Sequence, residues 1–395
     1  MPAEPREGSS TRMSDILTVA GDSRLLANPD LDRARPYGPA ERAILSLEGA
    51  RAAHAAIAAW DGYRPTPLLS LAALAHETGV DSILYKHEAH RFVLKSFKAL
   101  GGAYAVERLV TARGSAEGLT VTCATDGNHG RAVAWGARRL GVRAVIYVHE
   151  TVSQGRAAAI AAYGAEVRRV PGNYDDAVRA SAEAAAANGW TIVSDTSWPG
   201  YDLIPRDVMQ GYAVLGIEAE EQGARPTHIF VQGGVGGIAA AILSWTWESL
   251  GADRPILVVV EPDQAACLLE SAAARRWTTV GGDLDTIMAG LACGEPSELA
   301  WALLSPGADA FMAIPDGRAA DMMRRLAGEG IAAGESGVAG LAGLLAAASD
   351  PQARALLGLD VASRILCIGT EGATDPAIYR EIVGRDAAEV EREAP

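Results

Sequence analysis

His228-Ile-Phe-Val-Gln-Gly-Gly-Val-Gly-Gly-Ile-Ala-Ala-Ala-Ile-Leu243 joins two patterns through four glycines. The run His228–Gln232 is mainly apolar and has the length of a buried strand. From Gly237 to Leu250 the chain is Ala-rich and long enough for a helix. A strand that turns on glycines into a helix is half of a parallel crossover unit. The glycines leave backbone N–H groups free at the positive end of that helix, so Gly233, Gly234, Val235, Gly236 and Gly237 form a turn that suits a phosphate.

The same alternation extends in both directions. Runs of strand length at Ser82–Lys86, Thr120–Ala124, Ala144–Val148, Glu166–Val170, Thr191–Ser194, Ile256–Glu261 and Arg364–Ile368 are separated by helical stretches. The best of these are Gly101–Thr111, Gly130–Leu140, Ser153–Tyr163, Tyr174–Asn188 and Val208–Glu221. The alternation predicts an α/β protein with parallel strands and crossover helices. Met1 to about Arg42 is rich in Pro, Ser, Asp and Arg without periodicity and reads as an N-terminal arm, residues 1–42.

Bulk properties narrow the function classes. The 395 residues, 49% hydrophobic and 21% charged, suit a soluble protein of one large α/β unit or two lobes. Apolar runs are too short to span a bilayer, and Met1–Arg35 lacks a basic region followed by a long apolar segment, so no membrane partner and a cytoplasmic location are expected. Four scattered cysteines without zinc spacing give no reason to expect a disulfide scaffold or a structural metal. A formal charge of −14 argues against nucleic acid.

Three further segments carry candidate chemistry. Ser96-Phe97-Lys98 stands before Ala99-Leu-Gly-Gly-Ala103, which places a lysine at a helix entrance among residues small enough to admit a planar ligand. Chemistry at an amino acid's Cα needs an aldehyde cofactor held as an imine on such a lysine; the alternative is a surface lysine in a first helical turn. Ala124-Thr125-Asp126-Gly127-Asn128-His129-Gly130 follows a strand and opens a helix, at the sheet edge where α/β proteins collect ligands. Asp126 there is either a catalytic acid or a plain helix cap. Gly334-Glu335-Ser336-Gly337 and Gly369-Thr370-Glu371-Gly372 line the same edge or are ordinary glycine turns. A competing pattern also exists: Gly234-Val-Gly236-Gly-Ile-Ala239 fits a dinucleotide fingerprint, with Glu261 placed to bind a ribose, which would make the protein a nicotinamide oxidoreductase. That reading leaves Lys98 and the Asp126–Gly130 loop without work.

Taken in order, Arg64-Pro-Thr-Pro-Leu68, Ser96-Phe-Lys98, Asp126-Gly-Asn-His-Gly130, Gly233-Gly-Val-Gly-Gly237 and Thr370-Glu-Gly372 resemble the fold type II, tryptophan-synthase-β-like pyridoxal-phosphate enzymes. Within that class the chain looks like the diaminopropionate ammonia-lyases. The likeness runs through Gly172-Asn-Tyr-Asp-Asp176, Asp195-Thr-Ser-Trp198, Met209-Gln-Gly-Tyr212 and Ile287–Pro296, and Asp126 replaces the serine usual in serine and threonine dehydratases. The resemblance implies two lobes, each with a mostly parallel sheet flanked by helices: a large cofactor domain from 43–100 and 206–395, and a small substrate-side domain from 101–205. It implies pyridoxal 5'-phosphate on Lys98, Asn128 at the ring oxygen, Gly233–Gly237 at the phosphate and Thr370 at the ring nitrogen.

It also implies a small amino-acid substrate, with Lys98 as base for L- and Asp126 for D-diaminopropionate, Asp195 and Thr125 contacting substrate, and pyruvate and ammonia as products from a homodimer. Cys267 and Cys293 are expected near each other, with a bond between them as a possibility the resemblance raises. Lys95, His87, Gly369 and Ala373 depart from the family's usual residues. A serine or threonine dehydratase, a β-replacement enzyme and a noncatalytic relative remain as alternatives on the same cofactor.

Overall fold

The computed structural model describes residues 16–20 and 22–393. Twelve strands lie in two sheets. The larger runs in the order β1 (Leu17–Val19), β2 (Ser23–Ala27), β11 (Ala310–Ile314), β10 (Ile256–Pro262), β9 (His228–Gln232), β12 (Arg364–Gly369), β4 (Ser82–His87) and β3 (Leu68–Ser70). Its five central strands, β11 through β4 in that order, are parallel, and the edges are antiparallel. The smaller sheet is all parallel, in the order β7 (Glu166–Val170), β6 (Arg143–His149), β5 (Thr120–Ala124) and β8 (Thr191–Ile192). This is the α/β architecture that the alternation of apolar runs and Ala-rich stretches predicts.

Composition follows position in the sheets. β9 and β11 are buried at every residue, as strands covered on both faces must be, and read as near-continuous apolar runs. β7, at an edge, alternates Glu166, Arg168 and Arg169 with valines and stays partly exposed, which discourages pairing with another chain.

Three differences from the sequence reading have physical causes. The described part of the N-terminal arm is a hairpin added to the large sheet: β2 pairs with β11, and Leu25 and Leu26 are buried in separate core clusters on the two faces. Burying two leucines stabilises that addition by about 1.5–3 kcal/mol each. Residues 1–15 of the arm lie outside the described residues. The stretch Val208–Glu221 is two helices, Leu203–Tyr212 and Val214–Glu221, that meet at Ala213. The first of them packs so closely on the Lys98–Arg113 helix that a Cβ at Gly211 would lie 2.1 Å from the Leu100 carbonyl oxygen. Finally, Ala310–Ile314 is an unbroken apolar run that forms β11, a strand the sequence reading does not predict. No helix among the described residues is long and apolar enough to cross a membrane.

Candidate active site

The chain contains three lysines, Lys86, Lys95 and Lys98, and their surroundings separate them. Lys86 is fully buried, with Nζ 2.7 Å from Glu218 Oε2 and donating to the Thr66 carbonyl and Gln222 Oε1 at 2.8 Å each. Lys95 lies on left-handed backbone at φ 53°, with its amine out near Glu391 at the surface. Lys98 opens the Lys98–Arg113 helix and turns Nζ inward to Asp195 Oδ2 at 2.5 Å, 5.5 Å from the centroid of the Tyr212 ring. Lys86 is fully engaged by its three partners and Lys95 faces the surface, which leaves Lys98 as the enclosed amine at a helix start.

Burial works against charge on this amine, but Asp195 and then Tyr212 outweigh it and hold Lys98 well above the ordinary lysine value. Burial likewise opposes ionisation of Asp195, and Lys98 and His129 overcome it, leaving the carboxyl well below its usual range. His129 Nε2 lies 2.8 Å from the Val193 carbonyl, which can only accept, so Nε2 carries the proton. Among the described residues the other nitrogen, Nδ1, has no hydrogen-bond partner, and it faces Asp195 Oδ2 at 3.7 Å. Burial pushes the His129 pKa down and keeps the ring neutral.

The glycine turn borders the same space. Gly234 and Gly236 take φ values of 61° and 95°, and the Gly237–Leu250 helix begins where the turn ends. Among the described residues the amides of Gly234, Val235 and Gly237 donate to no protein acceptor. Tyr212 connects turn and lysine: its ring lies under the Lys98 amine, and a Cβ at Gly237 would come within 3.7 Å of it. Glu261, the acid a dinucleotide reading needs for a ribose, is buried beneath the turn. Its oxygens accept from the Leu268 and Leu269 amides at 2.9 and 2.8 Å, and burial raises its pKa to about 8. It has no free face for a ribose, which removes the oxidoreductase reading. Cys267 Sγ sits 3.6 Å from the Gly234 carbonyl and Cys293 lies across the turn; all four cysteines are free thiols, so the bond considered between these two is absent.

The remaining candidates converge through backbone contacts. The Lys98 approach runs alongside the Thr370 loop: Phe97 N donates to the Thr370 carbonyl at 3.0 Å, Gly372 N to the Lys95 carbonyl at 2.9 Å, and Ser96 bridges Glu371. Asn128 Nδ2 donates to Glu371 Oε2, and Glu371 Oε1 accepts from the Ser336 amide at 3.0 Å, so the Asp126, Gly334 and Gly369 segments share one edge. Thr370 is buried, and its hydroxyl makes no hydrogen bond among the described residues. Thr125, expected at the substrate, accepts from the Gly127 and Gly130 amides at 3.0 and 3.1 Å and so braces the turn. Asp126 accepts from His149 Nε2 at 2.7 Å.

Two departures from the family pattern have local explanations. A Cβ at Gly369 would lie 2.2 Å from Tyr85 Cζ, so the ring of Tyr85 takes the room a serine would need. His87 is buried between the rings of Tyr85 and His90, and burial pushes its pKa down to about 3. Ala373 is buried in the core, and nothing in the structure explains why it replaces a polar residue.

Sequence reasoning missed Tyr212, His149 and Tyr174. Tyr174 is 37% exposed as a residue, but burial of its phenol, and then the charges of Asp195 and Asp126, raise its pKa well above the ordinary value. It lies inside Gly172-Asn-Tyr-Asp-Asp176, so the motif pointed at the segment but not at the role.

An enclosed amine, backbone donors without protein acceptors at a helix N-terminus, and the Tyr212 ring between them suit a planar aldehyde that carries a phosphate, and the fold and site together define an enzyme that uses one. Residues 59–366 match the family described as pyridoxal-phosphate dependent enzymes, and the chain belongs to that family, with pyridoxal 5'-phosphate as its cofactor. It is similar to the diaminopropionate ammonia-lyase of Escherichia coli K12, at 43% identity over 349 residues, covering 82% of this chain and 88% of the relative. Similarity to the diaminopropionate ammonia-lyase of Salmonella typhimurium LT2 is 38% over 395 residues, covering 90% and 97%. The crystal structure of the E. coli lyase in complex with an aminoacrylate-PLP azomethine reaction intermediate superposes with a TM-score of 0.84 at 38% identity, covering 93% of this chain and 98% of that one.

Proposed function

We propose that the protein is a lyase that converts 2,3-diaminopropionate, of either hand, with water to pyruvate and two molecules of ammonia. The observation that carries this reading is the placement of Asp195 2.5 Å from the Lys98 amine, with Asp126 on the neighbouring loop. A serine or threonine substrate brings a neutral β-hydroxyl, which gives a buried carboxylate no charge to meet. Diaminopropionate brings a β-ammonium, and Asp195 supplies its counter-charge.

Bound pyridoxal phosphate supplies an electron sink that makes the substrate Cα–H acidic. The free amides of Gly234, Val235 and Gly237 and the start of the Gly237–Leu250 helix would hold its phosphate. Asn128 would hydrogen-bond the ring oxygen of the bound cofactor, and the neutral Thr370 hydroxyl would meet its ring nitrogen and leave it largely uncharged. Lys98 would take the Cα proton of the L substrate and Asp126 that of the D substrate, each acting from its own side of the bound cofactor. His129 offers its unpartnered Nδ1 lone pair toward the same ammonium that Asp195 meets. Thr125 enters as the brace of the turn that carries Asp126.

A coupled pyruvate assay across D- and L-diaminopropionate, L-serine and L-threonine tests the reading. It expects turnover of both diaminopropionates and a kcat/KM for serine and threonine lower by roughly 100-fold or more, the scale of one lost charge contact in a closed site. Faster turnover of a hydroxy amino acid would replace it with a dehydratase. The homodimer implied by the resemblance and the cytoplasmic location expected from the sequence belong to this proposal, and light scattering of the purified protein checks the first.

A further inference from the structure

Asp126 lies on a turn, and a carboxylate on a turn acts as a stereospecific base only if something fixes its plane. Parallel pairing brings that something from β6. Ala124 is in register with Tyr147, and Thr125 N donates to the Tyr147 carbonyl at 3.0 Å, so the two strands end side by side and His149 emerges next to Asp126. His149 Nε2 lies 2.7 Å from Asp126 Oδ1. Among the described residues Asp126 Oδ2 makes no hydrogen bond, which leaves one oxygen held and the other available.

His149 is itself held on both sides. Thr151 Oγ1 lies 2.9 Å from Nδ1. A carboxylate only accepts, so Nε2 carries a proton; in a neutral ring Thr151 then donates to Nδ1, and in a charged ring it accepts, with the contact to Asp126 the same in both. The turn that carries the ring is pinned by Arg169, whose Nη1 donates to the carbonyls of His149, Glu150 and Val152 at 3.2, 2.8 and 2.7 Å. The imidazole is mostly enclosed, with 14% of its side chain exposed.

We propose that His149 is a positioning residue for Asp126: with Thr151 and the Arg169-pinned turn behind it, it fixes one carboxylate oxygen so that the other faces the substrate, and thereby sets activity toward the D enantiomer. The inference rests on the reading of Asp126 as the base for the D substrate.

The test measures kcat and KM for D- and L-diaminopropionate in the cofactor-loaded wild type and in H149L, H149Q, T151V and D126N. Loss of an orienting contact to a general base is expected to lower kcat on the D substrate by roughly 10- to 100-fold in H149L, with KM on D and kcat on L changing by less than about threefold. H149Q keeps an amide N–H near the place of Nε2 and is expected to restore kcat on D to within about fivefold of wild type; a merely structural role predicts no such rescue. T151V lies at the exposed end of the chain of contacts and is expected to show a smaller loss confined to D. Equal loss on D and L in H149L, or no loss, overturns the proposal. Should H149L fail to fold, a D-confined loss in T151V supports the proposal and its absence overturns it. D126N keeps the two readings apart: equal damage to both enantiomers ends the base assignment itself, whereas D-confined damage in D126N with none in H149L ends only the role of His149.

Discussion

Gly236→Ala is the substitution that asks most of the phosphate turn. Residue 236 has φ 95°, where an L side chain meets its own backbone, at a cost of about 1–2 kcal/mol. The new Cβ would also lie 2.9 Å from Leu304 Cδ1 and 3.0 Å from Ala300 Cβ, both in the core, and such crowding costs about 1–3 kcal/mol. The turn relieves about 2–5 kcal/mol by moving, which displaces the amides that meet the phosphate; at about 1.4 kcal/mol per tenfold, cofactor affinity falls at least roughly 30-fold. Titrating the apoenzyme with pyridoxal phosphate and following the visible absorbance reads this directly, and saturating cofactor should recover much of the turnover. Gly141→Ala serves as control: φ is 69° there too, but no atom lies within 4 Å of the new Cβ, so stability falls without a change in cofactor affinity. A folded G236A protein that binds cofactor within threefold of wild type would refute the assignment of the turn.

Other expectations test neighbouring parts of the account. Lys98→Ala should abolish turnover and leave the cofactor removable by dialysis. Asp195→Asn leaves a mostly buried ammonium without its counter-charge, and urea denaturation of the apoenzyme at pH 7 should show a loss of about 2–4 kcal/mol, which the proposed covalent link at Lys98 should shrink in the cofactor-loaded enzyme. His87 has its pKa lowered from 6.5 to about 3, so as pH falls through that interval the unfolded chain takes up a proton that the folded one refuses, and stability is lost. Relative to His87→Phe, the wild type should lose up to about 1.4 kcal/mol more per pH unit between those limits, and equal slopes in denaturant titrations would contradict the burial argument. Intact mass with and without thiol alkylation should show four reactive sulfurs under denaturing, non-reducing conditions; two would mean that Cys267 and Cys293 are joined.

Much of this was legible in the sequence because local pattern and tertiary role coincide. β9, its glycine turn and the Gly237–Leu250 helix are one continuous signal, and so are β5 and the loop that carries Asp126. The short pieces were not legible. β1 and β3 span three residues each, too few for any period, and β2 forms a strand because β11 gives Leu25 and Leu26 two core faces to fill. In the site, Lys98 and Asp126 stand out by motif and Asp195 by resemblance. Tyr212, Tyr174 and His149 reach the site from separate helices and strands, so their roles depend on packing that no short stretch encodes. Thr125 shows a role the motif alone does not reveal: its hydroxyl accepts from two amides of its own turn and keeps its O–H free to donate.

The central claim is that the Lys98 nitrogen is the one that binds the cofactor, and a chain with three lysines makes it simple to examine. The holoenzyme is reduced with borohydride, digested, and the pyridoxyl-bearing peptide sequenced by tandem mass spectrometry. The account predicts one modified residue, Lys98, with Lys86 and Lys95 unmodified. A pyridoxyl group on either of those two, or a reduced protein that carries none, would contradict it.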